Sequence, residues 1–266
     1  MQRYKGSIKS STAAPTSNIS ASGIWTLTEQ MQAKQASAWP SAGTGGSIAL
    51  NGSSQYLTAT AAQSPPTLGN NLFTIEMFVR FAALPASASL ASLCNQQGDF
   101  RFFFHGNATA GQGILTIWQG SSIKWQTSAS GIVANTWYHI CAMRSNTGAT
   151  TTECNIYVNG VQLAKTTNTT TSVTYTSTGM VIGSELTQYY INGNVTNYRY
   201  VNGTAVYTVA GFTPPTSPLA NITNTKLLLL ATDAGTFTND SSTANAGGPY
   251  TVTNVGGATF SGSTPF

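Results

Sequence analysis

Residues 137–161, WYHICAMRSNTGATTTECNIYVNGV, constrain the fold more than any other stretch of the chain. The run Trp137-Tyr138-His139-Ile140-Cys141-Ala142-Met143-Arg144 is aromatic and aliphatic with no breaker, and Cys154-Asn155-Ile156-Tyr157-Val158 alternates polar and apolar residues. Between them lies a polar, glycine-containing stretch at 145–153. Two β-type runs joined by a short polar loop predict an antiparallel hairpin. Asn159-Gly160 is suited to the positive φ angles of a tight turn, so a further strand is expected at 161–166.

The rest of the chain repeats this grammar. Phe73-Thr74-Ile75-Glu76-Met77-Phe78-Val79-Arg80 places Phe73, Ile75, Met77 and Val79 on one face of a strand. Shorter strands are expected at 48–50, 55–57, 90–95, 100–105, 113–119, 122–126, 171–175, 180–182, 191–201 and 206–207. Residues 225–230 are apolar on both faces, as in a buried strand, and more strands are expected at 250–255 and 258–260. Many short strands without helical periodicity predict an all-β sandwich of two large curved antiparallel sheets. It would span 47–266, with its core in 48–216 and residues 225–260 completing it.

Residues 1–46 break the pattern. The first 23 are polar, basic and rich in Ser and Thr, an arm that cannot bury enough apolar surface to fold alone. Within 24–40, Thr26 and Glu29 fit a capping box. Leu27 and Met31 then start a thin apolar stripe, and Pro40 stops it, so one short helix is expected at about 26–38. Trp25 and Trp39 bracket that helix, packing either on the chain's own β domain or on a partner. A Gly-rich linker follows at 41–47.

Charge is sparse. Only 7% of residues are charged, against about 25% in ordinary domains. The net charge is +4, and most of the excess sits on the arm, where Arg3, Lys5, Lys9 and Lys34 face only Glu29. This is no clustered basic face for nucleic acid. No run approaches a membrane span, and the N-terminus lacks the apolar region of a signal peptide.

The chemistry-bearing residues are few. The acidic groups are Glu29, Glu76, Asp99, Glu153, Glu185, Asp233 and Asp240, and no two lie two to four residues apart. The paired carboxylates of a glycosidase are therefore missing from any one strand. His105 and His139 have no nucleophile elbow beside them. The expectation is a protein that is not an enzyme, with no catalytic residues. Calcium needs several converging oxygens. Asp99, Asp233 and Asp240 are candidates, but each brings one carboxylate to its loop, so no cofactor is expected. Cys94, Cys141 and Cys154 have no metal-ligand spacing. Cys141 and Cys154 flank the hairpin and are either bonded or buried thiols. For a sugar, the candidate contacts are Trp118 and Trp125, which are alternatively core residues, and Tyr189 and Tyr190. In a strand those two tyrosines would point to opposite faces, leaving one exposed.

The order of motifs resembles the concanavalin A-like lectin/glucanase fold, and within it the laminin G-like domains. The motifs are Leu50-Asn51-Gly52-Ser53-Ser54-Gln55-Tyr56-Leu57, the strand Phe73–Arg80, Asn135-Thr136-Trp137-Tyr138-His139-Ile140, Ile156-Tyr157-Val158-Asn159-Gly160, Ile182-Gly183, Gly193-Asn194-Val195 and Phe212-Thr213-Pro214-Pro215. The resemblance covers roughly 48–216 and makes His139 a packing residue. The flanks, SGIWTLTEQMQAKQASAWP and the segment from LLLL to the end, resemble segments of tailed-bacteriophage structural proteins. Together these resemblances imply a jelly-roll β-sandwich in a non-enzymatic virion structural protein, exposed on the particle surface and made in the host cytoplasm. Capsid decoration, a head appendage and a tail fibre are all open. Its partners would be other virion proteins, capsid or tail, and copies of itself. Arg3, Lys5, Lys9, Trp25, Met31 and Trp39 would dock it. The alternative is a carbohydrate-binding adhesin module that recognises host-surface glycans.

Overall fold

The hairpin at 137–161 lies inside an antiparallel sheet, as its pattern predicts. The computed structural model describes residues 31, 45–59, 65–147, 154–169, 172–185, 187–243 and 249–266. The chain divides into two units, Met1–Thr44 and Gly45–Phe266. In the first only Met31 is described, helical and exposed. The rest of the expected helix at 26–38 lies outside the described residues, as do Arg3, Lys5, Lys9, Trp25 and Trp39.

In the second unit the described residues contain strands and no helix. The strands are β1 (Ser47–Asn51), β2 (Tyr56–Ala59), β3 (Phe73–Phe81), β4 (Leu90–Gln96), β5 (Phe100–His105), β6 (Ile114–Gln119), β7 (Ser122–Thr127), β8 (Trp137–Arg144), β9 (Cys154–Val158), β10 (Val161–Gln162), β11 (Lys165–Asn168), β12 (Met180–Ile182), β13 (Asn192–Asn202), β14 (Thr225–Leu229), β15 (Thr253–Val255) and β16 (Thr259–Ser261). They form two eight-stranded sheets. The first runs β10-β9-β8-β3-β13-β1-β16, with β14 also on β13; the second runs β11-β7-β6-β5-β4-β12-β2-β15. Every pairing between these strands is antiparallel. This is the all-β sandwich of two antiparallel sheets that the strand pattern predicts, and it is consistent with the concanavalin A-like jelly roll that the resemblance implies.

The strand alternation builds the core between the sheets. Phe73, Ile75, Met77, Val79 and Phe81 of β3 join Phe100, Phe102 and Phe104 of β5 in one buried cluster. Phe81 packs on Phe104 with ring centroids 5.0 Å apart. Trp125 is 1% exposed and belongs to the same core. The buried Arg144 lies 5.9 Å from the Trp125 ring and 5.1 and 5.3 Å from those of Phe73 and Tyr175. Arg144 thus caps the aromatic core in cation–π geometry.

Three expectations change. The strand expected at 161–166 is two short strands on different sheets. β10 closes on β9, the chain crosses at Leu163 and Ala164, and β11 pairs with β7. Of the strand expected at 171–175, the described residues 172–175 form none; Val173 and Tyr175 are buried, and one bridge links Tyr175 to Gly69. At 206–207 there is no strand either. The thiols are also resolved. Cys141 pairs across from Tyr157 while Cys154 pairs across from Arg144. The two cysteines therefore stand on opposite faces of the sheet, where no disulfide can span them. All three cysteines are buried and none is in a disulfide.

Candidate functional site

The most concentrated chemistry lies on the outer face of the first sheet. Glu76 and His139 sit side by side on β3 and β8, with Arg199 on β13. A bulge puts Arg199 there. The register of β13 against β3 shifts between Thr196 and Arg199, and Asn197 has φ 51°. Val195 before the bulge and Tyr198 and Tyr200 after it all face the core. Unbroken alternation would have turned Arg199 into the core with Val195. Arg199 instead gives Nε and Nη2 to Glu76 Oε1 at 2.9 and 2.6 Å. Glu76 Oε2 accepts from His139 Nε2 at 2.9 Å and from the Tyr207 hydroxyl at 2.6 Å.

Residues 203–222 form a strap that seals this cluster. Val206 N–H reaches Thr74 Oγ1, Phe212 N–H reaches the Gly160 carbonyl, and Arg199 Nη1 reaches the Ala220 carbonyl at 2.8 Å. Tyr207 and Phe212 stack with centroids 3.6 Å apart, and Phe212 lies edge-on to His139. Burial pushes the Glu76 carboxyl up, but the hydrogen bond from His139, the charges of Arg199 and His139, and the Tyr207 hydroxyl outweigh it and hold it below its usual range. Both carboxylate oxygens are engaged and both Glu76 and His139 are fully buried. The arrangement suits a brace between strap and sheet; no substrate atom can reach it.

The accessible candidates lie elsewhere. A cleft of about 440 Å³ opens between residues 83–91 and the segment before β13, and Leu84, Pro85, Ser89, Tyr189, Tyr190 and Asn192 are among its lining residues. Tyr189 and Tyr190 both line it, half-buried. The alternation argument fails here because neither residue is in a strand and Tyr189 sits at φ 56°. A bulky residue held in that region needs support on both sides. The Tyr189 carbonyl takes Ser92 N–H at 2.7 Å, and the Tyr190 ring tilts against Tyr56 at 6.3 Å.

Tyr189 also edges the outer face of the second sheet. There Phe103 makes edge contacts with Tyr189 at 5.6 Å and with Trp118 at 5.7 Å. His105 stacks on Trp118 at 6.2 Å, and Thr116 Oγ1 bonds both the Trp118 indole N–H and His105 Nε2 at 2.7 Å. Burial lowers the His105 pKa below its ordinary value. Beside these rings Arg101 Nη2 and Glu185 Oε1 pair at 3.0 Å. The structure thus brings Trp118, Tyr189 and Tyr190 into one neighbourhood. It leaves Trp125 on the other side of the sheet, in the core, where it offers no ring to a ligand. Phe103, His105, Arg101 and Glu185 were not singled out from the sequence. The signal was present in Phe100-Arg101-Phe102-Phe103-Phe104-His105, which carries aromatic residues on both faces of one strand.

The carboxylates considered for calcium are engaged locally. Asp99 Oδ2 accepts from Thr176 and Ser177, Asp233 closes a turn onto Gly235 and Thr236, and Asp240 takes Leu228, Ser242 and Tyr250 N–H groups. Among the described residues no three His, Cys, Asp or Glu side chains converge. Each of the three carboxylates thus closes a turn of its own. No helix among the described residues is long and apolar enough to cross a membrane.

A family model, Laminin_G_3, described as the concanavalin A-like lectin/glucanases superfamily, matches residues 51–202, more than half of the chain. No curated protein matches the sequence. Among solved structures, a SAP-like pentraxin from Limulus polyphemus, crystallised as a native heptamer, is 16% identical. That match covers 63% of this chain and 81% of the pentraxin with a TM-score of 0.49. A protein from Bacteroides ovatus, titled a "putative carbohydrate binding protein", is 13% identical with a TM-score of 0.55. It is matched over 84% of this chain and 61% of its own length.

Proposed function

We propose that this chain, which belongs to the concanavalin A-like lectin/glucanases superfamily, is a non-catalytic carbohydrate-binding module that holds a glycan in the Tyr189–Tyr190 cleft. The observation that carries the reading is the lining of that cleft. Its volume of about 440 Å³ falls in the range of small-molecule sites, roughly 300–1,000 Å³. Two tyrosine rings, Leu84 and Pro85 supply apolar surface, and Asn192 and Ser89 supply hydrogen-bonding groups. The lining holds no Asp, Glu, His or Cys, so it brings neither the acid nor the base of glycoside hydrolysis to a bound sugar. The Bacteroides ovatus neighbour shares the fold, and its title makes sugar the first ligand class to test.

The test is a glycan array followed by calorimetry on the full chain. Binding to one sugar class is expected, weakened about ten-fold or more by Tyr190→Ala, since an aromatic platform carries much of such a site's affinity. No binding at millimolar sugar, or binding indifferent to Tyr190, overturns the reading.

The flanking segments suggest a setting for such a module, the surface of a tailed-phage particle with residues 1–46 as the docking arm. That second proposal rests on sequence resemblance alone. Deleting residues 1–45 should leave a folded protein that no longer joins particles, and normal incorporation would refute it.

A further inference from the structure

We infer that the binding site extends out of the cleft onto the outer face of the second sheet, where Trp118 and the Arg101–Glu185 pair beside it form a second sugar platform. The ligand is then an oligosaccharide chain and not a single sugar. This rests on the carbohydrate reading above and adds the length of chain recognised.

The register places the parts. Ser92 pairs across from Phe103, and Asn95 and Trp118 both pair across from Arg101. Arg101, Phe103 and Trp118 therefore share one face, with Tyr189 bonded to the β4 edge through Ser92. Tyr189 belongs to both places, since it lines the cleft and touches Phe103. A chain leaving the cleft crosses Tyr189 and then, past the Phe103 ring that touches both, reaches Trp118 with Arg101 paired across from it.

The chemistry of each part suits a sugar. The Trp118 indole N–H is spent on Thr116, so this half-buried residue presents apolar ring surface outward. The Arg101 side chain is a quarter exposed, at 25%. Arg101 bonds the Gly98 carbonyl through Nε and Glu185 through Nη2. Glu185 completes the pair. Its side chain is 9% exposed, Oε1 is paired, and Oε2 has no hydrogen-bond partner. Asn95 Oδ1, on the strand beside Arg101, has none either. Buried acceptors without donors are costly and uncommon. Both atoms are covered in the unliganded chain, and a sugar hydroxyl reaches Glu185 Oε2 once the quarter-exposed Arg101 side chain moves aside.

The experiment measures affinity against chain length on the full chain. The probes are ladders from mono- to hexasaccharide of β-linked glucose, xylose and N-acetylglucosamine, titrated by calorimetry. In wild type, affinity should rise about ten-fold or more from the monosaccharide to the longer members, as one further aromatic platform allows. Trp118→Ala should flatten that dependence, and Trp118→Phe, which keeps a ring, should restore most of it; Glu185→Gln should also reduce it. Circular dichroism checks that each variant folds, and Trp118→Phe with Glu185→Gln carries the test if Trp118→Ala does not. Monosaccharide binding that depends on Tyr190 but no gain with length overturns the extension and leaves the cleft standing. Equal weakening of every length by Trp118→Ala also overturns it. Binding of no ladder and no array sugar overturns both.

Discussion

Glu76 is the residue whose environment is best determined. It is buried with a cation, a histidine and a phenol on its two oxygens. Glu76→Gln leaves Arg199 buried without its counter-charge, and breaking a buried pair in this way costs about 3–5 kcal/mol; urea unfolding at neutral pH reads the loss. The pH dependence has a definite sign. The folded pKa lies below the ordinary 4.5. The stability that Glu76 contributes is therefore present above the unfolded value and is lost as pH falls through the folded one. The midpoint of thermal unfolding should fall below about pH 4.5 in wild type, with Glu76→Gln showing less of that slope. A flat wild-type profile would contradict the ionised carboxylate. The thiols give a second test. Burial pushes the Cys94 thiol up to about 12 and the Cys141 thiol well above its usual range. Native protein at pH 8 should leave a disulfide reagent unreacted, with all three thiols titrating only after denaturant is added. The alternation of its strand sets Glu76 opposite Phe73, Ile75, Met77 and Val79, and the family resemblance implies that His139 packs. The sequence did not show Arg199 beside them, because that depends on a bulge at Asn197, and periodicity assumes no extra residue.

At the scale of elements the strap carries the lesson. Residues 206–207 have strand-like residues, yet their N–H groups go to side chains. Val206 bonds Thr74 Oγ1 and Tyr207 bonds Met143 Sδ at 3.4 Å, where a ladder would need carbonyls on a neighbouring strand. Val173 and Tyr175 likewise bury alternate side chains with only one bridge for company. Alternation reports burial, and burial alone does not supply a partner. The Asn159-Gly160 turn, by contrast, was legible, and the strap adds a second reason for its glycine. Gly160 has φ 75°, and a Cβ there would run into the Phe212 carbonyl. Gly160→Ala should destabilise by about 1–3 kcal/mol through that clash and the positive φ. Hydrogen exchange should rise first at residues 203–222. Uniform exchange across both sheets would show that the strap is not separately held. The cleft tyrosines were named from sequence, but their conformation was not, since the φ of Tyr189 is set by contacts to β4.

At the scale of the whole molecule the sandwich was readable because its strands are short, alternating and bounded by turns, while strand order was not. Order is decided by which apolar faces meet, and no local pattern encodes that. Every pairing between the strands lies within Gly45–Phe266. Removing residues 1–44 should therefore leave the unfolding midpoint of the sandwich unchanged in calorimetry. A lowered midpoint would mean that the first unit contributes to the second.

β1 lies between β13 and β16, and β2 lies between β12 and β15. During synthesis these two strands leave the ribosome with no neighbour yet made. At about 5–20 residues per second, about 7 to 28 seconds pass between Asn51 and Asn192, when β13 begins and β1 can meet it. Its other edge waits until Thr259 has been added as well. A chain released before that point presents β1 with one row of backbone groups open to any passing strand. The cell that makes this protein must therefore shelter β1 until both β13 and β16 have been made.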